Sequence, residues 1–428
     1  MKPIGRAKLW TPLALTLVIA LTALASTSPL RGIGGGPPVP VTLRLSWLYI
    51  ALAPWCDFLD TLTLLSVRQH IAFVSTLLAV YFLSRSVRWN RTHTLLRELA
   101  GIGIFAALLV GTYGVGALLP RPMASLALLN PDALAVDFHS HTRASWDGRR
   151  GFSSESNRSW HRDAGFDAVY ISDHGTLSGV IEGESLNPKL SGEGTVILPA
   201  VEVRCDGHHV VILGATIHEG TPDCASAVIP ASSVSAAPRL SSPGGMITLL
   251  TIPARFALDR PIPRSQAIEI ADAAPRALDQ MERDGRLIRR IAKMDDLAVV
   301  ASSNNHGWGR TAAAWSILEI PYWRKLTPGQ LDAAIRARLA VLRGRSVYVV
   351  ERRRVTPQSS ALASLGTVPS VGWQLLTILS PRERVSWIVW IWALWASSLI
   401  VRHQIRIRRL PSSPSNASPK QRRRASQR

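Results

Sequence analysis

Cysteine is scarce in this chain: three residues in 428, with no Cys-x-x-Cys spacing. No thiolate metal site is therefore signalled, and the one pairing left open joins Cys205 to Cys224. Acidic residues are also few, 29 against 49 Lys and Arg, and none follows residue 401. Charge of either sign is missing from 9–30, 99–120 and 385–401. These runs approach or exceed the roughly 20 residues that cross a bilayer. The glycine-rich GIGGGPP at 32–38 has no strand before it and no helix after it, which argues against a phosphate-binding loop and for a flexible linker.

What is present follows from those gaps. With 47% hydrophobic residues and a positive mean hydropathy, the chain reads as one soluble domain plus membrane segments. A fourth, shorter apolar run covers 69–84. The stretch 45–66 is apolar but interrupted by Pro54, Asp57 and Asp60, so it reads as interfacial. Residues 1–25 also suit a cleaved signal peptide, since Lys2, Arg6 and Lys8 precede an apolar run ending in Ala23-Leu24-Ala25.

The net charge of +20 is concentrated. Three positives before residue 9, a net three over 85–98 and nine in the tail after 401 together supply 15 of it. Basic clusters beside apolar runs are the positive-inside pattern of membrane proteins rather than a groove for nucleic acid, which is not expected as a partner. Four crossings, at 9–30, 69–84, 99–120 and 385–401, keep every basic cluster in the cytoplasm. The expected organisation is a membrane region over 1–120, a domain over 121–352 outside the cytoplasm, a linker over 353–384, the last span, and a basic disordered tail over 402–428 that can lie on anionic lipid.

Within the exported domain, apolar β-type runs recur near 134–140, 167–172, 195–203, 209–214, 246–252, 266–270 and 297–303, with helical stretches at 154–164, 277–294 and 328–342. The alternation predicts a parallel α/β sheet or barrel. The stretch 221–245, rich in Ala, Ser and Pro, reads as a long surface loop.

Metal-competent side chains gather at the ends of these runs. In AVDFHSHTRASWDG, Asp137, His139 and His141 fall on one face of a strand. The second run ends in Asp173-His174, the third in Glu202, and the seventh in Asn304 and His306. Scattered core histidines would show no such preference, so a metal site is the reading. His209 opens its run, and joins only if the chain bends. His161 and His208 stay outside the set, and His218, past the end of the fourth run, is a reserve ligand.

The ordered segments DFHSHT…DG, AGFDAVYISDHGT, ILPAVEV, GHHVVILG and SSNNH resemble the motifs of the PHP (polymerase and histidinol phosphatase) family of metallophosphoesterases, over roughly 135–310. The resemblance implies a distorted seven-stranded (β/α) barrel. It also implies metal ligands at His139, His141, Asp147, His174, Glu202, His209 and His306. The chain departs from the family at Asn304, where an aspartate is usual, and at Ile252, where a histidine is usual. Asparagine can ligate but brings no charge, and isoleucine cannot ligate. One or two ions of Zn, Mn or Fe are therefore expected, with Glu202 bridging if there are two.

The expected activity is hydrolysis of a phosphorylated substrate, a phosphomonoester or phosphodiester, at the membrane, with His174 or Asp147 protonating the leaving group. Arg310 or Arg255, just past strand ends, would clamp phosphate. The alternative is a tethered binding or sensor domain with a weakened site.

Overall fold

The computed structural model describes residues 7–87, 95–205, 208–215, 245–251, 265–355 and 366–408. The chain divides into two units, Met1–Ala25 with Ser380–Arg428, and Ser26–Leu379.

The first unit is a pair of helices, Ala7–Leu21 and Pro381–Arg408. Arg384 joins them by donating to the Ile19 carbonyl (2.9 Å) and to Thr22 Oγ1 (2.7 Å), and Trp392 Nε1 donates to Thr16 Oγ1 (3.1 Å). The span expected over 9–30 is shorter than that. Its α-helix holds Pro12, stops at Leu21 and passes into a 3₁₀ turn.

The second unit is built on a ten-stranded sheet. Its strands are β1 (Leu30–Gly35), β4 (Ala133–Ser140), β5 (Ala168–Ile171), β6 (Val196–Cys205), β7 (His208–Leu213), β8 (Ile247–Leu250), β9 (Ala267–Asp272), β10 (Ala298–Ser302), β11 (Ala314–Glu319) and β12 (Tyr348–Arg352); β2 (Val41–Arg44) and β3 (Ser125–Leu128) pair separately. The order is β1-β12-β11-β4-β5-β6-β7-β8-β9-β10. All seven expected runs are strands, β4 to β10 in chain order. The sheet is larger than expected because β1, β11 and β12 extend it beyond β4. The GIGG of the supposed linker lies in β1, paired with β12.

The sheet is mixed rather than parallel. β4, β5 and β6 run parallel, as do β8, β9 and β10, but β7 is antiparallel to both its neighbours. It curls into a nearly closed barrel: Ser140 bridges Asn305, and Ser316 Oγ receives the Ala301 N–H (2.7 Å) and donates to the Ala301 carbonyl (2.8 Å). Every residue of β4, β5, β8, β9 and β10 is buried, which is why these runs lack the alternation of a half-exposed strand.

The helices Ser154–Ala164, Pro275–Met294 and Pro328–Leu342 match the expected positions closely. Ser153 caps the first of them, and Gly165 ends it at φ +86° in the left-handed region that glycine tolerates. The stretch 353–384 also carries a helix, Thr367–Ile378.

Among the described residues, three helices are long and apolar enough to cross a membrane: Val67–Arg85, Glu98–Leu118 and Pro381–Ile405. The first two lie side by side and antiparallel, since His70 meets Tyr113 (2.8 Å) at one end and Arg85 meets Glu98 (2.7 Å) at the other. The stretch 45–66 is not a free interfacial helix. It forms two short helices, Trp47–Ala51 and Ala53–Thr63, the second of which carries Asp57 and Asp60, both buried. Asp60 pairs with Arg121 and Arg352 and accepts from Thr311 Oγ1 (2.8 Å), and Tyr49 donates to Asp57 (2.9 Å). Those charges, which read as an obstacle to burial, fasten this segment to the barrel. Burial pushes the Asp60 carboxyl up, but the two guanidiniums outweigh it and hold the group below its usual range.

Candidate metal centre

The barrel mouth collects ligand-competent atoms into three overlapping groups: His141, Asp147, His174 and His306; His139, His141 and Glu202; and His174, Glu202 and His209. Within each group the ligand atoms lie inside 4.8 Å of one another. Seven of the eight expected metal ligands thus come together.

Glu202 is at the centre. Its Oε2 lies 3.2 Å from His139 Nε2, 3.3 Å from His141 Nε2 and 3.2 Å from His174 Nδ1, while Oε1 lies 2.5 Å from His209 Nδ1. Asp147 Oδ2 stands 3.2 Å from both His174 Nε2 and His306 Nε2. Glu202 does not end its strand: it lies inside β6, opposite Val211 of β7. His209 reaches the site because β7 is antiparallel, so the start of that strand lies where the parallel strands end.

Second partners orient the rings. His139 Nδ1 faces Glu269 Oε1 (2.9 Å), His141 Nδ1 faces Ser145 Oγ (3.2 Å), and His306 Nδ1 faces the Asn304 carbonyl (2.8 Å). Such contacts set which ring nitrogen is presented inward, as in metal-ligating histidines generally. Burial pushes the His139 imidazole down, but Glu202 and Glu269 more than reverse this and raise it. His141 is lowered by burial and then by the neighbouring imidazoles of His139 and His306. Burial pushes Glu202 up, yet His139 and the surrounding donors hold it well below the carboxylate range.

The donor set suits a divalent cation. Two buried imidazoles bring their Nε2 atoms to 3.0 Å, a close approach that a shared cation or proton stabilises. Asp147 Oδ1 and Asn304 Oδ1 are buried and accept no hydrogen bond among the described residues, as oxygens reserved for a cation would be. Nitrogen and carboxylate ligands of this mix fit Zn, Mn or Fe.

Several expected residues lie elsewhere. Asp137 does not join the cluster. The β4–β5 register shifts between Asp137 and Ser140, which breaks the simple alternation, and Asp137 instead receives the Ser303 N–H (3.0 Å) and pairs with His161 Nε2 (2.7 Å). His161 is therefore a structural partner of the first strand, buried under the site. Asp173 turns to Thr142, accepting from its N–H (2.6 Å) and its hydroxyl (2.7 Å). Asn304, at φ +45°, sends its Nδ2 to Asp272 Oδ2 (3.0 Å). Arg310 is held by Asp163 (2.6 Å) and lines a separate cavity with Arg149 and Glu155. Cys205 is disulfide-bonded; Cys224, His218, Ile252, Arg255 and most of the loop 221–245 lie outside the described residues.

Glu269 and Asp272 were missed by sequence reasoning. Their signal was a pair of carboxylates inside the apolar run QAIEIAD, where an unpartnered charge would be too costly to bury.

No family model matches the chain, and a search of curated proteins finds no match either. Similar solved structures include PsfC from Pseudomonas syringae (14% identity, 58% of this chain and 99% of that one, TM-score 0.33). A two-domain protein from Bacteroides vulgatus containing a predicted PHP-like metal-dependent phosphoesterase aligns at 13% identity over 54% of this chain and 69% of that one, with a TM-score of 0.30. An amidohydrolase from Chromobacterium violaceum aligns at 15% identity over 45% and 98%, with a TM-score of 0.26. At these scores the likeness is coarse.

Proposed function

We propose that this chain is a membrane-anchored, metal-dependent phosphoesterase of the PHP type, hydrolysing a phosphomonoester or phosphodiester. The observation that carries the reading is Glu202, with both carboxylate oxygens ringed by His139, His141, His174 and His209, as a carboxylate bridging two cations would be. Divalent ions held there would supply Lewis-acid charge to the phosphoryl group and lower the pKa of water.

The chain's own residues divide the remaining work. His139, His141 and Glu202 are almost fully buried and keep bulk water from the deep side. His174 and Asp147 are partly exposed at the rim, and in this reading one of them hands a proton to the leaving oxygen as the P–O bond breaks. Water adds its oxygen to phosphorus and its proton ends on the departing alcohol. Arg310 is not assigned a role in this scheme.

The test is metal content of the full chain in detergent, beside a His139→Ala, His141→Ala variant, followed by assay of p-nitrophenyl phosphate and bis-p-nitrophenyl phosphate. One or two ions per chain, lost in the variant, with hydrolysis abolished by a chelator, is the expected result. A metal-free wild type that stays empty and inactive after reconstitution with Zn, Mn or Fe would reject it. The domain is proposed to face away from the cytoplasm. Alkaline phosphatase fused after residue 355 should then be active in a bacterial host, and an inactive fusion with a fluorescent GFP counterpart would reverse the orientation.

A further inference from the structure

One cavity connects the cluster to the apolar helices. It encloses about 350 Å³, within the roughly 300–1,000 Å³ of small-molecule pockets. One wall is Asp147, Asn304 and His306, and another is Leu62, Tyr113 and Ala117. The two walls are stitched together, because the Gly309 N–H, three residues past His306, donates to the Ala117 carbonyl (2.9 Å). Ala117 and Tyr113 lie near the end of the helix Leu95–Leu118, and His70 near the start of the helix Val67–Val87. Both helices have the length and composition to cross a bilayer.

The surroundings match a membrane interface. Trp308, 53% exposed, lines the cavity, and Trp146, 79% exposed, stacks on His174 at 5.7 Å. Tryptophan concentrates where one end of a side chain is apolar and the other wet. The hydrogen bond between His70 and Tyr113 (2.8 Å) sets a polar pair on the mainly apolar wall, which the ester or glycerol groups of a lipid could meet. A small water-soluble phosphoester has no use for such a wall, whereas each methylene buried there is worth about fourfold in affinity.

Resting on the phosphoesterase reading, we propose that the substrate is a lipid phosphate: a phosphoester whose alcohol carries long alkyl chains, bound with its phosphate at Asp147 and His306 and its chains toward the ends of the two apolar helices. Hydrolysis adds the oxygen of water to phosphorus, breaks the bond to the lipid-side oxygen and leaves a proton on that oxygen, releasing a lipid alcohol and a phosphate.

The test uses the full chain in nanodiscs loaded with metal. Dioctanoyl phosphatidic acid is compared with glycerol 3-phosphate, and dioctanoyl phosphatidylglycerol with its deacylated glycerophosphodiester. In one pair kcat/KM should favour the lipid at least 100-fold. Ala117→Trp, which fills the cavity beside the helix end, should cut that ratio at least tenfold, and a ratio taken within one preparation is insensitive to partial misfolding. A second readout needs no turnover: phosphatidic acid with a diazirine in its acyl chain should crosslink to residues 62–70 and 113–117. Equal rates for lipid and soluble members, or labels confined to other segments, would overturn the lipid assignment and leave the phosphoesterase standing. No hydrolysis of either pair or of the p-nitrophenyl esters would overturn the phosphoesterase reading itself.

Discussion

Glu269 Oε1 lies 2.9 Å from His139 Nδ1, on the side of the ring away from Glu202. The carboxylate is fully buried on β9, the last strand but one of the seven-strand run that begins at β4. It fixes the ring of the first metal-competent histidine and stabilises the form whose Nε2 faces the cluster.

Replacing Glu269 should therefore weaken metal binding without touching a ligand. Glu269→Ala is expected to lower affinity about 10–100-fold, and Glu269→Gln, which can still accept the Nδ1 proton, by less. Competition against a chromogenic chelator reads both. Equal losses for the two variants would mean that the ring does not depend on this hydrogen bond.

The buried Asp60 holds two guanidiniums, Arg121 and Arg352, against the barrel. Removing it leaves both cations buried without their counter-charge, so Asp60→Leu should cost about 3–5 kcal/mol of stability. Double substitution with Arg352→Leu should recover part of that loss. Thermal melting decides, and additive losses would show that the pair is not energetically coupled.

Asp167 predicts a pH effect. Burial pushes its carboxyl up to about 6, with only the Ala135 N–H (2.8 Å) and a distant Arg324 opposing. The folded chain then binds this proton more tightly than the unfolded chain, whose carboxyl titrates near 3.9. Stability should fall as pH rises from about 4 to about 6, by on the order of 3 kcal/mol from this group. Asp167→Asn keeps an acceptor for Ala135 and removes the titration, so its Tm should gain on the wild type more at pH 7.5 than at pH 4.5. The same difference at both values would remove Asp167 as the source.

Asn304 separates an adapted site from a weakened one. Its Nδ2 donates to Asp272 Oδ2 (3.0 Å), so an aspartate there would set two carboxylates together and delete the donor. Asn304→Asp should cost about 1–3 kcal/mol and add no metal per chain. A gain of a bound ion, with new or higher hydrolysis, would favour instead the weakened binding domain that the sequence leaves open as the alternative.

The local part of this architecture was legible in the sequence. Seven apolar runs became β4 to β10, and helices at 154–164 and 328–342 formed as expected, because hydrophobic periodicity and capping act over a few residues. His139, His141, His174 and His306 were recognisable because each stands within four residues of the end of an apolar run. The long apolar helices were legible for the same reason, as length and lack of charge are properties of one segment.

Tertiary structure decided whatever depends on direction and distance between segments. Antiparallel β7 brings His209 to Glu202, and no local pattern states a strand's direction. Glu269 reaches His139 across the barrel. Asp163 takes Arg310, and His161 takes Asp137. The segment 45–66, whose acids argued for a membrane surface, is instead buried because Arg121 and Arg352 come from 61 and 292 residues away along the chain to meet Asp60. The sequence alone determined the seven strands β4 to β10, the helices between them and the histidines that can bind metal; only the folded chain determined which further strands join the sheet and which charges meet, because a buried charge is tolerated only when its partner arrives from elsewhere.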